Sequence, residues 1–245
     1  MDAWLLEPNQ YELLWEGTSV TIEILGYSFV LGVALSLLIG VARLSERSWV
    51  RGAALVYVEF ARGISSIILL FIIAIAVPIL LEVGQANLIL LASLALGINM
   101  GGYGAEIVRG SIQAIPRGQT EASIALNLSP TQRLRHIVLP QAMRLILPPM
   151  GNLTIEILKG TALVSLVGVA DLMQVTNFIR QQQLFNASAS DISAIFVNVL
   201  VIYFVLAQVI NGLFRLAEWH LERRYRGGDA EVPAAPHEPV PGLSK

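Results

Sequence analysis

Residues 116–149 read PRGQTEASIALNLSPTQRLRHIVLPQAMRLILPP, and this stretch decides the fold. Five of the chain's eleven prolines fall in it: Pro116, Pro130, Pro140, Pro148 and Pro149. So do four arginines, Arg117, Arg133, Arg135 and Arg144. Apolar runs of membrane length flank it on both sides. A basic, helix-capable interruption between such runs is a surface on which something outside the membrane can dock, and the rest of the chain decides on which side.

Of 245 residues, 55% are hydrophobic and 14% charged, with a mean hydropathy of +0.65. Soluble domains carry about 25% charged residues, so the chain reads as an all-α integral membrane protein. The lack of cysteine excludes disulfides, thiolate metal sites and cysteine nucleophiles. The first basic residue, Arg43, follows Asp2, Glu7, Glu12, Glu16 and Glu23, which is the reverse of a secretory signal.

Five spans are expected, at about 18–44, 64–81, 88–108, 145–169 and 192–213. Before them, residues 1–17 form an acidic external segment with interfacial Trp4, Tyr11 and Trp15. Residues 43–62 are basic and amphipathic, and Pro78 interrupts the second span late. The third span contains Gly97 and Gly101 at the GxxxG spacing of close helix packing. Residues 170–190 read as a polar loop, and residues 219–245 as a disordered tail.

Fourteen of the 16 Lys and Arg fall in 43–62, 109–144 and 215–245; only Arg180 lies on the opposite side, and Lys159 falls within a span. The positive-inside rule then places the N-terminus outside and the C-terminus in the cytoplasm. Segment 109–144, with the opening stretch, is cytoplasmic. The surroundings are membrane lipid, and no nucleic-acid partner is expected.

The cytoplasmic segment specifies its own shape. Pro116 suits a first helical turn, Ala122, Ala125 and Leu126 share one side, and Asn127 suits a left-handed C-terminal cap. Ser129-Pro130-Thr131-Gln132 is a capping box that starts a second helix. That helix is expected to end near Val138, because Pro140 disfavours helical geometry at Leu139. Two short helices need a surface to pack on; this is either a partner or the membrane.

Glu121-Ala122-Ser123 with Ile137-Val138-Leu139-Pro140 resembles the EAA loop of bacterial ABC-importer permeases. The run from Tyr103-Gly104-Ala105-Glu106 through Leu139-Pro140-Gln141-Ala142 to Lys159-Gly160-Thr161-Ala162 resembles the polar amino acid uptake family, and the likeness spans about residues 18–218. The resemblance implies a coupling helix seated in a separate ATPase subunit, with Arg117, Gly118, Glu121, Ala122, Ala125, Asn127, Arg133 and Arg135 at or near the contact. It also implies a second permease subunit and an external solute-binding protein.

Three departures stand out. Asn127 replaces a usual Gly, Ile64-Ser65-Ser66-Ile67-Ile68-Leu69 replaces the family's T-P-L-L-V-Q after Glu59-Phe60-Ala61-Arg62-Gly63, and Gly160 replaces an Asp. They suggest a heterodimer whose partner keeps the more typical lining, a homodimer being the alternative. Ser65-Ser66 and Asn127-Leu128-Ser129 are similar to the branch handling compatible solutes such as ectoine.

The only lysines, Lys159 and Lys245, fit no Walker A pattern, so ATP hydrolysis belongs to another chain. His136, His220 and His237 are scattered, and no metal, cofactor or catalytic residue is expected. Within the spans, Glu156 and Lys159 stand three apart on one helix. They form either a structural ion pair or part of a pathway for a polar, zwitterionic solute, joined by Thr161, Ser165, Asn99 and Tyr103. Glu106 is expected to pair with Arg109. An ATPase-independent carrier or channel, and an intramembrane enzyme, are the competing classes.

Overall fold

The computed structural model describes residues 6–84, 86–185 and 192–226. All regular elements among them are helices. We label them α1 (Pro8–Ala42), α2 (Ser48–Gly63), α3 (Ser66–Leu80), α4 (Leu88–Gln113), α5 (Arg117–Ala125), α6 (Pro130–Val167), α7 (Leu172–Phe185) and α8 (Ile192–Arg226). Four of these, α1, α4, α6 and α8, are long and apolar enough to cross a membrane; α2 and α3, bent by 101° at their junction, pass the same test only as a pair, as a broken span or a re-entrant loop. The extended backbone at Ile64 makes the bend (φ −86°, ψ 137°).

α1 starts ten residues before the expected span. Pro8 occupies its first turn, and the Glu7 N–H donates to Gln10 Oε1 at 3.1 Å. At about 1.5 Å per residue it is roughly 50 Å long, against about 30 Å of bilayer hydrocarbon. Its first turns therefore stand outside the membrane. There Leu14 packs with Leu172 and Ile179 of α7 and Ile195 of α8 in a second, external core.

That packing overturns the polar loop expected at 170–190. Residues 172–185 form a helix whose buried positions, Leu172, Thr176, Ile179 and Gln183, recur at helical spacing. Asp171 caps it by accepting the Gln174 N–H at 2.9 Å, and the Leu172 N–H donates to Thr21 Oγ1 of α1. Residues 186–190 of the expected loop, and Trp4, lie outside the described residues.

α4 is the most enclosed span. Its glycines bring α1 within backbone distance. A Cβ on Gly101 would stand 2.7 Å from Leu35 Cβ, and one on Gly104 would collide with Ser36 Oγ. The GxxxG reading at Gly97 and Gly101 is thus one of close approach between α4 and α1.

The second helix of the cytoplasmic segment does not end near Val138. It continues as α6 through Val167. The reason is a widened turn over Leu134–Val138, where the Leu139 N–H reaches back to the Leu134 carbonyl. A proline lacks the N–H of a regular turn and crowds the carbonyl four residues earlier. For Pro140 that carbonyl belongs to His136, inside the widened turn, so the helix survives. The same device precedes Pro78, where Ile72–Ala76 is widened and α3 continues to Leu80. The last turns of α6, Thr161–Val167, tighten to three residues per turn and stop at Gly168 with φ +86°.

α8 also outruns the expected fifth span, and residues 219–226 of the expected tail are helical. The rest of that tail, 227–245, lies outside the described residues.

Candidate functional site

The first candidate surface is α5 with the start of α6. The backbone closes α5 in a double C-terminal bond: the Leu128 N–H donates to Ser123 O (3.1 Å) and the Asn127 N–H to Ile124 O (2.8 Å). Asn127 takes φ 54°, the left-handed conformation such an ending requires. Ser129 then opens α6: its Oγ accepts the Gln132 N–H, and Gln132 Oε1 accepts the Ser129 N–H at 2.9 Å. Gln141 Nε2 bonds Gln119 Oε1 and braces the two helices.

Arg117, Gly118, Glu121, Ala122, Ala125 and Asn127 are all exposed, as is Arg135, while Arg133 is half-buried. Ser123 faces inward. Ile124 and Leu126 are exposed at 53% and 72% on a segment that emerges from the membrane. A nine-residue helix with apolar residues presented to solvent is built to be covered.

The second candidate surface is a cleft of about 450 Å³ between α2, α4 and α6. That size suits a small solute. Arg62, Tyr103, Glu106, Asn152 and Glu156 line it. The Arg62 guanidinium lies over the Tyr103 ring, 5.3 Å from its centre. Glu106 is already satisfied on both oxygens: Oε1 accepts from Arg43 Nε and Nη2 (3.2 and 3.0 Å), and Oε2 from Arg109 Nε and Nη2 (2.9 and 2.7 Å). The expected pairing with Arg109 is present, and Arg43 makes it a three-member node tying α1 to α4. The charges left open in the cleft are therefore Arg62 and Glu156, one of each sign.

Glu156 and Lys159 form no ion pair with each other. Three residues of helix turn two side chains about 60° apart, and here the two face different hollows. Lys159 opens into a separate space of about 310 Å³ against α8, with Tyr203, Gln208 and Asn211. Asn99 is buried and its Nδ2 donates to Ala61 O at 3.0 Å, which fixes the end of α2. Thr161 and Ser165 are buried too, their hydroxyls donating to Leu158 O and Ala162 O within their own helix. The structure thus brings Tyr103 and Glu156 together, and gives Asn99, Thr161 and Ser165 bonds within the fold. Sequence reasoning missed Arg62 and Asn152 as lining residues. The signal for Arg62 was present, an arginine in the last turn of α2, directly before the helix ends at Gly63-Ile64.

Comparison with known proteins identifies the family. Residues 32–225 match the family described as "Binding-protein-dependent transport system inner membrane component". The chain is 37% identical over 222 residues to a probable amino-acid ABC transporter permease, y4tF, of Sinorhizobium fredii, covering 87% of this chain and 89% of the relative. It is 34% identical over 215 residues to the glutamine transport permease GlnP of Escherichia coli K12, covering 87% and 93%. Among solved structures, an amino acid ABC transporter crystallised with histidines superposes with a TM-score of 0.73 at 29% identity, covering 86% of this chain and 94% of that one. The inward-facing methionine transporter MetNI shares the fold, with a TM-score of 0.72 at 20% identity over 88% and 99%. The ectoine reading gains no support from these relatives and is not carried forward. With its helical spans, its exposed cytoplasmic α5 and a sequence that holds no ATP-binding loop, the chain belongs to the inner-membrane permease family of binding-protein-dependent ABC importers, a multi-pass transport subunit whose ATP hydrolysis resides on separate subunits.

Proposed function

We propose that this permease passes a polar, zwitterionic amino acid, with α5 and the first turn of α6 as the contact to the ATPase. The observation that carries the solute class is the cleft of Arg62 and Glu156, two unpaired charges of opposite sign. Charges at membrane depth are costly and face a cavity or a partner. A zwitterion complements both: its carboxylate suits the guanidinium, and its ammonium suits Glu156. The amino-acid cargo of the relatives supports the same class.

Coupling follows from the continuity of α6. Pro130, beside the contact, and Glu156, in the cleft, sit on one helix about 39 Å long between them. A displacement of α5 by a closing ATPase pair shifts the base of α6, and the widened turn at Leu134–Val138 is where that helix bends most easily. Two permease subunits then expose the path alternately to each side.

The departures at Ile64–Leu69 and Gly160 support a heterodimer, in which the second permease supplies further lining. Co-purification of this chain and the ATPase with no other permease would overturn that part.

The test is uptake of a labelled amino-acid panel into proteoliposomes holding the whole transporter, with the cognate binding protein outside. Uptake is expected only with ATP inside and an active ATPase. Uptake that persists with an inactivated ATPase would favour an ion-coupled carrier instead.

A further inference from the structure

A groove of about 880 Å³ opens at the cytoplasmic end of the molecule, between the α1–α2 linker and the base of α6. Val41, Val50, Ile112 and Leu134 give it apolar walls. Arg47 from the linker and Arg133 from α6 line it from two elements. It lies where α1 and α4 leave the membrane, on the side marked by the basic residues.

The neighbouring arginines are engaged. Arg43 and Arg109 hold Glu106, and Arg51 Nη1 donates to Ser45 O at 3.1 Å. Arg47 and Arg133 take part in no ion pair, and Arg133 Nε is buried with no hydrogen-bond partner. Buried guanidinium donors are ordinarily satisfied. Glu46 stands on the same wall, so the lining carries two positive charges against one negative. A net single positive charge beside aliphatic walls matches a singly charged phosphodiester attached to acyl chains better than a polyphosphate.

We propose that this groove binds one anionic phospholipid of the cytoplasmic leaflet, with its phosphodiester between Arg47 and Arg133. An acyl chain covers the aliphatic walls at the ends of α1 and α4. Such a lipid bridges the α1–α2 linker to the first turns of α6, and so shares Pro130–Arg133 with the contact proposed for the ATPase, on which reading this part rests. Transport activity would then depend on the anionic lipid content of the membrane.

The probe is phosphatidylglycerol, applied to the full transporter with its ATPase subunits in phosphatidylcholine nanodiscs. A photoactivatable phosphatidylglycerol should label residues 41–50 and 131–138, and native mass spectrometry should show a retained lipid. Arg47→Gln should lower its apparent affinity about tenfold, with Arg47→Lys keeping most of it and inorganic phosphate failing to compete. Equal retention of phosphatidylcholine, unchanged affinity in Arg47→Gln, displacement by inorganic phosphate, or labelling confined to other segments would each overturn the proposal. Labelling that appears only when the ATPase is removed would assign the groove to the ATPase instead. Should Arg47→Gln fail to assemble, the labelling map of the unaltered transporter decides.

Discussion

Asp171 is buried at the mouth of α7, with one carboxylate oxygen on the Gln174 N–H and the other without a hydrogen bond. Burial pushes its carboxyl up from 3.8 to about 6, against the lowering effect of the backbone N–H groups of Gln174 and Met173. The folded chain therefore holds this proton more tightly than the unfolded one. Its contribution to stability is full below about pH 4 and is lost as the pH rises through about 6, a change of up to about 3 kcal/mol. Hydrogen-exchange protection of Leu172–Phe185 should fall across that window. Asp171→Asn keeps a capping oxygen and should flatten the dependence; an equally steep profile in that variant would assign the effect elsewhere.

Glu156 is the other residue on which the account turns. Glu156→Gln preserves shape but leaves Arg62 as the single open charge in the cleft. Labelled amino-acid uptake should drop roughly tenfold or more through loss of a charge-assisted bond, while ATPase co-purification stays intact. Loss of the whole assembly would instead make Glu156 a structural residue. The spacing of Glu156 and Lys159 was legible in the sequence. Their separation into two hollows was not, because it depends on where α2 and α8 pack, and no local pattern carries that.

Among the elements, α5 and its ending were the most legible, since capping chemistry acts over a few residues. Ser129 and Gln132 form the box that their spacing predicts, and Asn127 takes the left-handed turn where the family usually has Gly. Asn127→Gly should leave uptake unchanged. Asn127→Val, a β-branched residue in that conformation, should weaken the 117–128 turn by about 1–3 kcal/mol, read as lost amide protection there. Full protection in the valine variant would mean the turn is held by tertiary contacts alone. The same local rules failed at Pro140, where a widened turn lets the helix run on, and at 170–190. In the latter, frequent glutamines masked an amphipathic period of Leu172, Thr176 and Ile179 that only the external end of α1 makes useful.

At the scale of the whole molecule, composition was enough for the membrane class and for where the apolar spans lie. The start of α1 was not legible there, because it is fixed by the Glu7–Gln10 cap and by the packing of Leu14 against α7 and α8 rather than by hydropathy. The central claim concerns coupling: exposed α5 receives the ATPase, and α6 carries its movement to Glu156. Glu121 is exposed on α5, with a charge that can be reversed without touching the core. The most direct measurement is ATP-driven uptake by the reconstituted transporter carrying Glu121→Lys, with membrane insertion and ATPase co-purification scored on the same preparation. The account predicts normal insertion, loss of the ATPase and no uptake; normal uptake with the ATPase retained would contradict it.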